Sequence, residues 1–262
     1  MSEHHNLYQR AVYYDIVFGR PVDHEVQFFV DAYRHYTGRA VQSTLEIGCG
    51  PAYHTRRLAQ RGLTTVGLDL WPEMIELAQE KANADGVTPH WLIADMRDFA
   101  LSAPVDFAFC VFDGIDALLK NEEYVQHFQA IARNLTPGGL YLIDVTHPRE
   151  VDFHQYPLFC YQAEQDGIAV EVRWGTNRPY YDLTTGIYHV ALEIDVDDHG
   201  KRSTIYDCSD ERHLLPQELT LLAELSGTMR LVSWFGDFVL QQPLDHTPAS
   251  KRMIGLFQKV GD

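Results

Sequence analysis

Gly48 and Gly50 flank Cys49 in the run Leu45-Glu46-Ile47-Gly48-Cys49-Gly50-Pro51-Ala52. Glycines so placed let a backbone turn sharply and come close to a ligand. Asp69 follows 19 residues after Gly50 (69 − 50). A carboxylate there can accept both hydroxyls of a ribose. Asp95 stands in Ile93-Ala94-Asp95-Met96. A carboxylate there can accept from an adenine amino group while the adjacent backbone reads the ring edge. A lone Gly-x-Gly says little. Three such positions in succession say more, because each suits a different part of one nucleoside. A structural alternative stands beside each: a plain turn for the glycines, a solvated carboxylate for Glu46, helix-capping acids for Asp69 and Asp95. Cys49 and Cys110 read as small core fillers rather than nucleophiles.

The elements around these residues place all three at strand ends. Short apolar strands are predicted at Thr44–Ile47, Thr65–Leu68, His90–Ala94 and Val105–Phe112, and a fifth at Leu140–Val145. Helices are predicted from Tyr53 to Arg61, from Pro72 to just before Gly86, and from Glu122 to Leu135. Proline suits a first helical turn, and glycine lies just past a helix end. Thr136-Pro137-Gly138-Gly139 is expected to break the chain. Alternation of strand and helix means a parallel sheet covered on both faces. Ligands of such sheets bind outside the carboxyl ends of the strands. Before the sheet, Leu7 to Tyr36 is aromatic and helix-like, with Val26, Phe29, Val30 and Tyr33 at helical spacing.

After the fifth strand the texture changes. Between Phe159 and Leu214 it is β-rich, with turn signals at Asp166-Gly167, Thr185-Gly186 and His199-Gly200. Alternation in Ala169–Trp174 and Tyr188–Val196 points to antiparallel strands. Pro216–Leu225 is predicted helical, with two last strands at Leu231–Phe235 and Met253–Val260.

Charge excludes some partners. Lys and Arg number 21 against 37 Asp and Glu, a formal net charge of −16. Phosphate neutralisation needs clustered Lys and Arg, so nucleic acid is not expected as a partner, nor is an anionic membrane. The four cysteines, Cys49, Cys110, Cys160 and Cys208, form no CxxC pair and have no close His at zinc-finger spacing, so no metal is expected. Four spread thiols and a polar start at Met1 to Arg10 make a cytoplasmic location the expectation.

At these motifs the chain resembles class I S-adenosylmethionine-dependent methyltransferases. Leu45–Ala52 looks like their first motif, with Glu46 in the acidic position. Val66-Gly67-Leu68-Asp69 with Pro72-Glu73-Met74-Ile75 is similar to the second, Ile93-Ala94-Asp95-Met96 to the third, and Phe109-Cys110-Val111-Phe112-Asp113 to the fourth. Leu135–Leu140 resembles the turn before strand five, and Tyr13-Tyr14-Asp15 the aromatic segment that caps the methyl donor in small-molecule members. The likeness spans roughly Leu45 to Val145. It departs at Ala52, where a third glycine is common, and at Leu70-Trp71, which lacks a helix-capping serine.

The resemblance implies a Rossmann-like fold: a mostly parallel seven-stranded sheet, helices on both faces, and an antiparallel β insertion after strand five. It implies S-adenosyl-L-methionine as cofactor, with S-adenosyl-L-homocysteine as product. The donor would be held by Tyr13, Tyr14, Glu46, Gly48, Cys49, Gly50, Asp69, Leu70, Met74, Asp95, Met96, Phe112 and Asp113, with Glu46 facing its amino group. The expected organisation is an N-terminal cap over residues 1–40, the donor-binding core over 41–150, a substrate cover over 151–214, and the last core elements over 215–262. Candidates for proton handling are His147 after strand five, Tyr14, and His213. The acceptor is expected to be a small molecule, with N-, O- and C-methylation all open and a homodimer a further option. An NAD-dependent oxidoreductase shares the glycine loop and the acid that follows. Its fingerprint wants a small residue where Tyr53 stands. A non-catalytic nucleotide-binding module is the third reading.

Overall fold

The computed structural model describes residues 7–150 and 154–261. The expected N-terminal cap and substrate cover begin in part outside these residues. Strands β1 (Ser43–Ile47), β2 (Thr64–Asp69), β3 (His90–Ile93), β4 (Val105–Cys110) and β5 (Leu135–Thr146) join β10 (Met229–Phe235) and β11 (Arg252–Lys259) in one seven-stranded sheet. Its order is β10-β11-β5-β4-β1-β2-β3. The β1–β2, β1–β4, β2–β3 and β4–β5 pairs are parallel, and β11 runs antiparallel to both its neighbours. The order reverses between β1 and β4, so a crevice opens at their carboxyl ends.

Alternation along β4 shows why this strand sits at the centre. Phe107 and Phe109 face α2 (Asp23–Thr37) with Val26, Phe29 and Tyr33, while Ala108 and Cys110 face α5 (Asn121–Asn134) with Tyr124, Phe128 and Ile131. Both faces are buried, as a doubly covered parallel strand requires. α3 (Tyr53–Gln60), α4 (Pro72–Ala84) and α6 (Pro216–Leu225) complete the two layers.

One local expectation changes. The Thr136-Pro137-Gly138-Gly139 segment does not break the chain but is a bulge inside β5. Val105 pairs with Leu135 and Phe107 with Leu140, so five residues on one strand answer two on the other. A side chain at Gly139 would press within 3.0 Å of backbone oxygens of Thr136 and Asp106, and Gly138 has φ of +71°. The aromatic, helix-like start is divided into two helices. Gly19 and Pro21 separate α1 (Ala11–Phe18) from α2, because proline lacks the N–H that a continuing helix needs.

The stretch between β5 and α6 is a second sheet: β6 (Phe159–Gln165), β7 (Ile168–Trp174), β8 (Tyr188–Asp198) and β9 (Lys201–Glu211), in that spatial order and all antiparallel. Its outer hairpins turn on Asp166-Gly167 and His199-Gly200, and all four residues have positive φ. Two-residue turns of that hand match the twist of the strands they join. The inner face, with Val170, Val172, Val190, Leu192 and Ile194, buries against α1 and the 3₁₀ turn Leu7–Gln9. The Leu7 amide also donates to Asp207 of β9 at 2.8 Å. No helix among the described residues is long and apolar enough to cross a membrane.

Candidate functional site

The loop after β1 lies in the crevice. Gly48 (φ +62°) and Gly50 (φ +50°) both take the left-handed conformation, which glycine adopts without steric cost. Ala52 holds φ of +58° at the start of α3 and offers no capping oxygen. Glu46 supplies the cap instead: its Oε2 accepts the Thr55 amide at 2.8 Å and the Thr55 hydroxyl at 2.6 Å. Its Oε1 lies 3.0 Å from His54 Nδ1. Glu46 is 3% exposed, so it braces the loop from beneath with both oxygens engaged. Only Oε1, with His54 as its single partner, keeps a lone pair for the donor amino group expected to meet Glu46 directly or through water.

Asp69, 7% exposed, ends β2 beside this loop. One oxygen accepts the Gly50 amide at 2.8 Å and the other the Trp71 amide at 2.9 Å. Burial raises its pKa, and these amides offset only part of that rise. Each oxygen keeps a lone pair, which is what two vicinal hydroxyls need. Beyond it, Leu70 (55% exposed) and Ile93 offer apolar surface at adjoining strand ends. A flat heterocycle attached to a ribose fits that surface, so these residues suit the implied donor.

Asp95 is placed differently from expectation. The Arg97 fork grips it, with Nε at 3.0 Å and Nη2 at 2.6 Å, and this pairing lowers its pKa. An adenine amino group would have to share that carboxylate. Met96 is half-buried, and its carbonyl meets His127 Nδ1 at 2.9 Å. Cys49 is buried and its thiol pushed up in pKa, consistent with a filler. Met74, also buried, reaches the loop: its Sδ lies 3.9 Å from where a Gly50 side chain would stand.

The two tyrosines of α1 part company. The Tyr14 ring lies 3.8 Å from the same point at Gly50. The Tyr13 hydroxyl instead donates to Asp198 of β8 at 3.4 Å, away from the loop. Asp15 anchors the helix over the crevice, accepting from the Tyr53 hydroxyl at 2.7 Å and pairing with Lys81 of α4. Burial, with Asp69 adding repulsion, raises the Tyr14 pKa, so its phenol is a hydrogen-bond donor rather than a base.

At the end of β4, Phe112 (φ +56°) and Asp113 (φ +63°) are both left-handed without being glycine. Such strain persists only where surroundings over-determine it. Here Asp144 accepts the Phe112 amide at 3.0 Å on its side chain and the Asp113 amide at 3.2 Å on its carbonyl. Arg252 then bridges Asp144 (2.7 Å) and Asp113 (3.2 Å). The result turns the Phe112 ring outward, 40% exposed, against Phe18 of α1.

His147 does not serve as a base. It is 3% exposed; Nε2 bonds the Asp245 carbonyl at 2.9 Å and Nδ1 accepts the Arg149 amide at 3.0 Å. Both nitrogens are used to clasp two loops together. His213 sits with its Nε2 3.2 Å from Glu211 and 3.7 Å from Asp116. Burial favours the neutral ring, but the two carboxylates outweigh it and push its pKa up to about 9. At neutral pH it is therefore a cation, not a proton acceptor.

Sequence reasoning missed the group around His213. Glu211 also accepts from the Tyr156 hydroxyl at 2.6 Å and the Trp174 indole at 2.7 Å. Asp116 is buried, and burial raises its pKa well above the carboxylate range. With Thr146 and Pro148 it walls a small pocket shared with His213. The only available signal was Glu211-x-His213 at a strand end, a spacing too common to single out. No cluster suited to a metal occurs among the described residues.

This crevice, with its glycine loop at the β1–β4 reversal, defines a class I methyltransferase fold. Residues 44–139 match the family model described as a methyltransferase domain. It is 29% identical over 143 residues to a putative methyltransferase of Geobacillus sp. (strain WCH70), covering 54% of this chain and 58% of that one. It is also 29% identical over 137 residues to the dTDP-3-amino-3,6-dideoxy-alpha-D-glucopyranose N,N-dimethyltransferase of Streptomyces fradiae, covering 51% and 52%. These alignments span little more than half the length of either relative. Among solved structures, an S-adenosylmethionine-dependent methyltransferase from Clostridium acetobutylicum superposes with a TM-score of 0.78 at 16% identity, covering 98% of this chain and 100% of that one.

Proposed function

We propose that this protein transfers the methyl group of S-adenosyl-L-methionine to a small-molecule acceptor, leaving S-adenosyl-L-homocysteine. The observation that carries the reading is Asp69, held by the Gly50 and Trp71 amides with a lone pair free on each oxygen, beside a glycine loop that the Tyr14 ring approaches. Gly48, Gly50, Asp69, Leu70, Met74 and Tyr14 would hold the donor, with Phe112 and Asp113 at the reacting end. Bound there, the donor supplies a methyl group activated by a positively charged sulfur. The protein's work is to align and to exclude water. Aromatic faces at Tyr14, Phe18 and Phe112 suit a cation near the crevice. The glycine loop after β1 has Tyr53 at its sixth position, bonded to Asp15, which disfavours the oxidoreductase reading.

The second sheet and α1 would cover the acceptor over 151–214 and 1–40, with the core over 41–150 and 215–262. A relative named as an aminosugar N,N-dimethyltransferase supports a basic nitrogen as acceptor. Four free cysteines fit a cytoplasmic setting. The test is incubation with methyl-labelled donor and a mixed metabolite extract, read by mass spectrometry. Label is expected on amines, and label confined to hydroxyl or carboxyl groups would contradict the choice of acceptor.

A further inference from the structure

A buried ladder of charged groups runs beneath the donor loop. Glu46 at the end of β1 meets Nδ1 of His54 at 3.0 Å, and His54 Nε2 meets Glu25 of α2. Glu25 in turn pairs with Arg20, whose Nη2 lies 3.2 Å away. The Arg20 guanidinium stands 5.6 Å from the centre of the Phe112 ring. The ladder thus links the loop after β1 to the strained corner after β4, by way of the hinge between α1 and α2.

We propose that His54, clamped between the buried carboxylates of Glu25 and Glu46, is a positioning residue that holds the donor loop and the N-terminal helices in one binding-competent arrangement. The inference rests on the methyl-donor reading of that loop. Two carboxylates on opposite nitrogens of one ring leave room for one charge state. A neutral imidazole donates from one nitrogen only, so one acid would face a lone pair. A cationic ring donates to both. Glu46, so fixed, caps α3 through Thr55 and sets where Gly48 and Gly50 lie. The rings of Phe29 and Phe109, which carry no charge, also pack beside it.

The titration follows from that geometry. Burial opposes the charge on His54, but the bonds to Glu25 and Glu46 prevail and carry its pKa to about 9. Burial likewise opposes the charge on Glu25, and its bonds to His54 and Arg20 bring it to about 2. A His whose pKa is raised on folding contributes fully below its ordinary value of about 6.5 and loses that contribution as pH rises through about 9. The positioned loop is therefore expected to loosen in mild alkali.

The test is calorimetric titration of the full chain with S-adenosyl-L-homocysteine and with 5′-methylthioadenosine, which lacks the amino-acid tail. Wild type, His54→Gln and Glu25→Gln are compared from pH 6.5 to 9.5, with circular dichroism confirming the fold. At pH 7.5 His54→Gln is expected to bind S-adenosyl-L-homocysteine roughly ten- to a hundredfold more weakly, the value of one charged hydrogen bond. 5′-Methylthioadenosine should change less. The wild-type advantage should shrink as pH passes about 9, and Glu25→Gln should fall between the two. Equal affinity of wild type and His54→Gln, equal loss for both ligands, or a ratio indifferent to pH overturns the positioning role. Wild type that binds neither ligand removes the donor reading itself, and the inference with it.

Discussion

At the scale of single residues, the account turns on Asp69. Its two oxygens already accept the Gly50 and Trp71 amides, so replacing it removes support for the loop as well as the ribose contact. Asp69→Ala is expected to lower S-adenosyl-L-homocysteine affinity by about one to three orders of magnitude, from two charged hydrogen bonds of roughly 1.5–3 kcal/mol each partly offset by water. Calorimetry on the folded variant checks this, and unchanged affinity would take Asp69 out of the site. The placement of Gly48, Gly50 and Asp69 in the crevice was legible because it depends on local spacing and strand ends. Glu46 was legible as a motif residue but not in its role, since its partner His54 also needs Glu25, 29 residues away along the chain. His147 and His213 show the same limit. Position after a strand told of proximity to the crevice, while the Asp245 carbonyl that engages His147 and the Asp116 carboxylate beside His213 come from distant segments.

At the scale of elements, strand and helix types were readable from apolar runs, and their ends from proline and glycine. β5 was the exception, because proline and two glycines look like a stop when they in fact form a bulge opposite β4. The hairpins of the second sheet were readable from Asp166-Gly167 and His199-Gly200, but its docking on α1 was not, since that contact joins residues far apart in the chain. Phe18 bears that docking, with its ring 4.7 Å from Tyr14, 5.8 Å from Phe112 and 5.1 Å from Tyr161. Phe18→Ala is expected to cost about 3–5 kcal/mol by cavity formation. Urea unfolding followed by tryptophan fluorescence measures it, and a loss below about 1 kcal/mol would mean that the second sheet holds its place without this ring.

At the scale of the whole molecule, the chain builds a parallel frame that presents polar groups at strand ends and lays a helix and a second sheet across them. The fold class followed from the alternation of elements, and the proposed donor class rests on three strand-end motifs read together. The acceptor did not follow, because the cover is an antiparallel sheet whose inner aromatics serve packing and recognition alike. A net charge of −16 with a cationic ligand implies attraction weakened by salt, a secondary matter beside the identity of the ligand. The most direct measurement is titration of the purified full chain with S-adenosyl-L-homocysteine and, separately, with NAD. The account expects saturable binding of the sulfur nucleoside and no heat from NAD. Saturable binding of NAD with no response to S-adenosyl-L-homocysteine would contradict it.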